Sequence, residues 1–142
     1  MFKKILVPTD ASEFSRHAFQ NALEIARRFG AELVLLHVIN TSQAYWGYTV
    51  SYVKPDTQEE LELNGKQVLE ETIMGIKLDN VQLTKKISLG HPVTQILDEA
   101  NKENIDLIVM GCHGYGAIIG SMMGSVSQRV VQQALCPVLI VK

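Results

Sequence analysis

The chain has 142 residues, 46% hydrophobic and 20% charged, with a formal charge of −2; this fits one domain spanning residues 1–142 and excludes wholesale disorder. No apolar run nears the roughly 18 residues of a membrane span, and the scattered basic residues lack the footprint of a nucleic-acid binder. The two cysteines, Cys112 and Cys136, fit neither a disulfide framework nor a zinc pattern.

The N-terminal stretch MFKKILVPTD holds an apolar run too short for a secretory signal, so the expected compartment is the cytoplasm. Phe2–Val7, stopped by Pro8, mixes β-branched and large residues without alternation, the pattern of a strand buried on both faces. A helix is predicted from Phe14 to Phe29, with Ala18, Ala22, Ile25, Ala26 and Phe29 on one face. Ser12 is its expected N-cap and Gly30 its stop. Ala31–Ile39 reads as a second buried strand. The segment from Asn40 to Asp56 has neither period, yet it gathers Tyr45, Trp46, Tyr48 and Tyr52. Trp46 or Tyr48 is a candidate cover for a ligand or contact for a partner, with local packing on the next helix as the alternative.

A helix follows from Thr57 to Ile76, with Leu61, Val68, Leu69 and Ile76 inward, then a third strand over Val81–Ile87. Leu89-Gly90-His91-Pro92 reads as a turn that feeds a helix, with Pro92 in its first turn and Val93, Ile96, Leu97 and Ala100 as its apolar stripe. Ile105–Met110 is a fourth strand, Ser125–Ala134 a last helix and Pro137–Val141 a fifth strand. This βαβαβαβαβ order, with continuous apolar strands, indicates an α/β fold with a parallel sheet covered on both faces. Ligands of such sheets bind beyond the carboxyl ends of strands, where strand order reverses.

One of those places is marked by its residues. Gly111, Gly114, Gly116, Gly120 and Gly124 are five of the chain's ten glycines. Glycine admits positive φ and lets a ligand approach the amides closely. The segment leaves a strand and enters a helix whose first amides, around Ser125, Val126 and Ser127, would face an anion. The P-loop pattern fails because Ala117 stands where lysine is required. The dinucleotide pattern begins at Gly114-Tyr115-Gly116 and fails at Ile119. His113 lies within the segment, either as a phosphate contact or as a solvated loop histidine. His37 reads as a satisfied strand-end histidine rather than a ligand. Cys112 and His113 are adjacent and point apart, and no G-x-S-x-G elbow occurs, so no catalytic group stands out.

The spacing Gly111, two residues, Gly114, nine residues, Gly124-Ser125 resembles the nucleotide motif of the universal stress protein family. Pro8-Thr9-Asp10, Leu35-Leu36-His37-Val38 and Cys136–Val141 agree with it, and the resemblance covers the whole chain. It implies five parallel strands ordered 3-2-1-4-5, an adenine nucleotide alpha hydrolase-like, Rossmann-like sheet, with Asp10 and Gly111 across one crevice. It implies ATP, with Mg²⁺, as ligand. Pro8, Thr9, Asp10 and Val38 would line the adenine end, and Met110 and Gly111 the ribose. Gly114, Gly124, Ser125 and Val126 would hold the phosphates. Cys112, His113, Gly114, Tyr115, Gly116 and Ala117 would form the inner edge of the loop, and Ser127 adds a helix amide. Ser125 reads as a cap and phosphate contact before a modification site. The resemblance further implies a homodimer through the edge strand Pro137–Val141. The function expected is that of a stress-response regulatory module. Slow Mg²⁺-dependent ATP hydrolysis at the same site is the first alternative. A non-nucleotide interaction or electron-transfer module is the second, and the full glycine motif argues against it.

Overall fold

The computed structural model describes residues 1–41, 57–114 and 123–142. The aromatic segment Tyr45–Tyr52 and the loop residues Tyr115, Gly116 and Ala117 lie outside the described residues. Among those described, the order is β1 (Lys4–Pro8), α1 (Glu13–Phe29), β2 (Glu32–Asn40), α2 (Gln58–Ile73), β3 (Leu83–Gly90), α3 (Pro92–Lys102), β4 (Leu107–Gly111), α4 (Ser125–Gln133) and β5 (Val138–Val141). The five strands form one sheet in the order β3-β2-β1-β4-β5, every pairing parallel. No described helix is long and apolar enough to cross a membrane.

Local signals set the ends of the first two helices. Ser12 caps α1 by accepting the Ser15 amide, and Gly30 ends the helix at φ 66°, where an L side chain would be strained. Thr57 and Glu60 form a reciprocal capping box at the start of α2. Side chains alternate across the sheet. Ile5, Val7, Leu33 and Leu35 face α1 and α2, while Leu6, Val34, Leu36 and Ile108 face α3 and α4. Each fully buried side chain of this size contributes roughly 1.5–3 kcal/mol.

Two expectations change. Phe29 does not enter the core and is 49% exposed. It sits at the end of α1, where it packs edge-on against Phe2, just before β1 begins. Phe19 and Leu23 take the buried places instead. The third strand starts later and runs on to Gly90, because β2 offers it partners as far as Asn40. Only His91, at the N-cap of α3, is left as the connection.

Four charged side chains are tied together beside the second core, the one between the sheet and helices α3 and α4. Glu103 receives hydrogen bonds from Lys4 and Lys86, and Lys86 also reaches Glu99. Those bonds to the two ammonium groups hold the Glu103 carboxyl down to about 2. The same bonds raise Lys86 and Lys4 above the ordinary lysine value.

Candidate functional site

The crevice follows from unequal strand lengths at the reversal of strand order. β1 ends at Pro8, opposite Leu36, whereas β2 continues to Asn40 and β4 to Gly111. The Thr9 amide closes the ladder on the Leu36 carbonyl at 2.8 Å, and the chain then turns away. A gap of about 480 Å³ remains above the end of β1. Its apolar wall includes Pro8, Leu36, Val38, Pro92, Ile96 and Met110. The opposite side carries Asp10, His113, Gly114, Gly124, Ser125 and Val126.

Asp10 is held by its own loop. Its Oδ1 accepts the Ser12 amide at 2.9 Å and the Ser15 hydroxyl at 3.1 Å. Between them Ala11 adopts φ 61°, a left-handed conformation that strains an L residue by roughly 1–2 kcal/mol. The Ala11 amide donates to Thr9 Oγ1 at 3.0 Å, which helps to hold that turn.

The glycines answer to close approaches. A Cβ on Gly111 would lie 2.7 Å from Phe14 Cβ and 2.8 Å from the Phe14 carbonyl carbon, so the missing side chain lets the start of α1 sit against β4. A Cβ on Gly114 would overlap Asp10 Oδ2, which brings the glycine loop and the first-strand loop to one point. Past the loop, the Gly124 amide donates to the Cys112 carbonyl at 2.7 Å, and Ser127 Oγ lies 3.0 Å from the same oxygen. Gly124 is the N-cap of α4 and makes no side-chain cap. Among the described residues, the first-turn amides of α4 therefore meet the crevice without a capping hydroxyl or carboxylate, an arrangement suited to an anion.

Most of the expected residues meet here. Pro8, Thr9, Asp10, Val38, Met110, Gly111, His113, Gly114, Gly124, Ser125, Val126 and Ser127 all line the gap. Cys112 is buried and outside the lining; its part is the carbonyl that closes the loop on α4. Sequence reasoning missed Ser15, Leu36, His37, Pro92 and Ile96. His37 is satisfied as expected, with Nδ1 2.8 Å from the Thr9 carbonyl, and it also lines the crevice. A carbonyl only accepts, so Nδ1 carries a hydrogen and donates it to Thr9. His113 stacks edge-on against Phe14 at 5.4 Å. A wider hollow of about 630 Å³ lies between β3 and α3, but it is walled by groups such as Lys86 and Glu99 that already pair with each other.

The family model described as "Universal stress protein family" matches residues 1–142. This chain belongs to the universal stress protein family. A universal stress protein of Methanocaldococcus jannaschii is 35% identical over 149 residues, covering 100% of this chain and 83% of the relative. Universal stress protein YxiE of Bacillus subtilis is 33% identical over 148 residues and is matched over 100% of both chains. Among solved members, the structure of the Methanocaldococcus jannaschii protein MJ0577 superposes with a TM-score of 0.84 at 30% identity, covering 100% of this chain and 96% of that one. Two more distant members share the fold. One is a universal stress protein in complex with cAMP, at 22% identity and TM-score 0.67, covering 99% of this chain and 96% of that one. The other, from Archaeoglobus fulgidus, is in complex with dAMP, at 18% identity and TM-score 0.72, covering 100% and 98%.

Proposed function

We propose that the crevice binds ATP and that the protein acts as a dimeric, nucleotide-loaded regulatory module of the stress response. The observation that carries this reading is the N-terminus of α4, without a side-chain cap among the described residues, which lines one crevice with Asp10 beside a glycine loop at the reversal of strand order. The apolar wall from Pro8 to Met110 suits a purine ring. Asp10 suits a ribose hydroxyl or the adenine amino group, and the amides at Ser125, Val126 and Ser127 suit phosphate oxygens. Asp10 is the one formally charged side chain among the described residues of the lining, so the phosphates would be held by amides, with Mg²⁺ offsetting their charge. That proteins of this fold hold cAMP and dAMP supports an adenine nucleotide as the class of ligand.

The dimer would use the free edge of β5. In its ladder with β4, the Pro137 and Val141 carbonyls accept from Ile108 and Cys112. The alternation of a parallel strand then turns the backbone groups of Val138 and Ile140 outward. Leu139 on β5 is exposed, as are Val131 of α4 and Leu135 in the turn that precedes β5.

The test is to purify the protein, denature it and identify the released small molecules by mass spectrometry. ATP is the expected product. ADP alone would favour hydrolysis at the site, and a protein that is empty and takes up no added ATP would overturn the proposal.

A further inference from the structure

We infer that Thr72, at the end of α2, is a positioning residue for Asp10 and couples that helix to the crevice. The inference rests on the nucleotide reading above. Thr72 is fully buried and 63 positions from Thr9 in sequence, yet its Oγ1 lies 2.7 Å from Thr9 Oγ1.

The hydrogens along this chain of hydroxyls can be assigned from what each group accepts. Carboxylate and carbonyl oxygens only accept, so Ser15 Oγ shares its hydrogen between Asp10 Oδ1 at 3.1 Å and the Ser12 carbonyl at 3.0 Å. With its hydrogen so committed, Ser15 Oγ accepts from Thr9 Oγ1 at 3.0 Å and from Ser12 Oγ at 3.2 Å. Thr9 Oγ1 in turn accepts from Thr72 Oγ1, and it also takes the Ala11 amide at 3.0 Å. Thr72 Oγ1 sits 2.8 Å from the Val68 carbonyl, which shares its hydrogen. The hydroxyls of Thr72, Thr9 and Ser15 thus form a continuous line of hydrogen bonds that reaches Asp10, with branches to the Val68 and Ser12 carbonyls, and such a line strengthens along its length.

A second tie runs beside the first. Arg16 follows Ser12 by one helical turn, and its Nη2 donates to the Met74 carbonyl at 3.0 Å. The end of α2 is therefore fastened at two points, Thr72 to Thr9 just after β1 and Met74 to Arg16 in the first turn of α1. Thr9 and Arg16 flank the strained Asp10–Ser12 loop in sequence. A shift of α2 would reach Asp10 through the hydroxyls, and a ligand that orders Asp10 would by reciprocity order the end of α2.

The test uses Thr72→Val, which removes the hydroxyl at nearly constant shape, and Thr72→Ser, which keeps it. The first reporter is hydrogen exchange at the Ser12 amide, whose acceptor is Asp10 Oδ1. The second is ATP affinity by calorimetry. Thr72→Val is expected to speed exchange at Ser12 and to weaken ATP about five- to thirtyfold, the effect of one lost hydrogen bond to a chain ending on a charge. Thr72→Ser should retain both values. ATP should slow exchange in the last turn of α2 in the wild type and not in Thr72→Val. A folded Thr72→Val with unchanged Ser12 exchange and affinity would overturn the inference. So would a Thr72→Ser protein that behaves like Thr72→Val. Thr72→Ala serves as a second hydroxyl deletion; if neither deletion folds while Thr72→Ser does, the hydroxyl serves stability alone and the positioning role falls. If the wild type takes up no nucleotide, the reading of the crevice fails, and Ser12 exchange alone decides the tether.

Discussion

Replacing Gly111 by alanine tests how the crevice is built. The added Cβ would sit 2.7 Å from Phe14 Cβ, 2.8 Å from its carbonyl carbon and 3.0 Å from its carbonyl oxygen. Carbon atoms in good contact are about 3.5–4.0 Å apart, so the first turn of α1 must withdraw from β4 by roughly 1 Å. Two of the three clashing atoms are backbone, so no rotamer change relieves them. Overpacking of this kind costs about 1–3 kcal/mol. In a chain of this length each kcal/mol lowers the Tm by about 3–4 °C, so a loss of about 3–12 °C is expected. The same turn carries Ser12 and Ser15, which both donate to Asp10, so ATP affinity should fall as well. Gly114→Ala is the control. Its Cβ meets the Asp10 carboxylate rather than backbone, so it should weaken ATP binding by calorimetry while leaving the Tm within about 3 °C, the equivalent of roughly 1 kcal/mol. An unchanged Tm for Gly111→Ala, or a Gly114→Ala protein that loses stability and keeps its affinity, would refute the reasoning.

Two further outcomes are expected. The Glu103 carboxyl lies at about 2 in the folded protein, because Lys4 and Lys86 hydrogen-bond it. Its contribution is complete above the ordinary carboxyl value near 4.5 and is lost as the pH falls toward 2, since the unfolded chain takes up the proton first. Glu103→Gln should therefore lower the urea midpoint at pH 7 and flatten its fall below pH 4.5; an equal gap between the two proteins at pH 7 and pH 3 would contradict this assignment. Leu139, 38% exposed on β5, is the place to charge the free edge, because Val138 and Ile140 pack on the second core. Leu139→Lys should convert a dimer to monomer by light scattering, and persistence of the dimer would discount this interface.

The sequence by itself determined the elements and most of their ends. Ser12 and Gly30 delimited α1 because capping needs only a hydroxyl or a free φ within a few residues. The glycine spacing from Gly111 to Gly124 marked the candidate anion-binding loop, and its resemblance to a known motif supplied the strand order that periodicity leaves open. Tertiary structure decided which side chains meet. The helical period could not separate Phe29 from Phe19, because that choice depends on where β1 begins beneath α1. His37, Pro92 and Ile96 entered the crevice because β2 outruns β1 and α3 starts beside that overhang. Ser15 and Thr72 carry no local signal of function. They matter because packing α1 and α2 on the same face brings residues 63 positions apart, Thr9 and Thr72, within 2.7 Å. Caps and periods act over one or two helical turns, whereas contacts such as these exist only after the sheet has set the strand order.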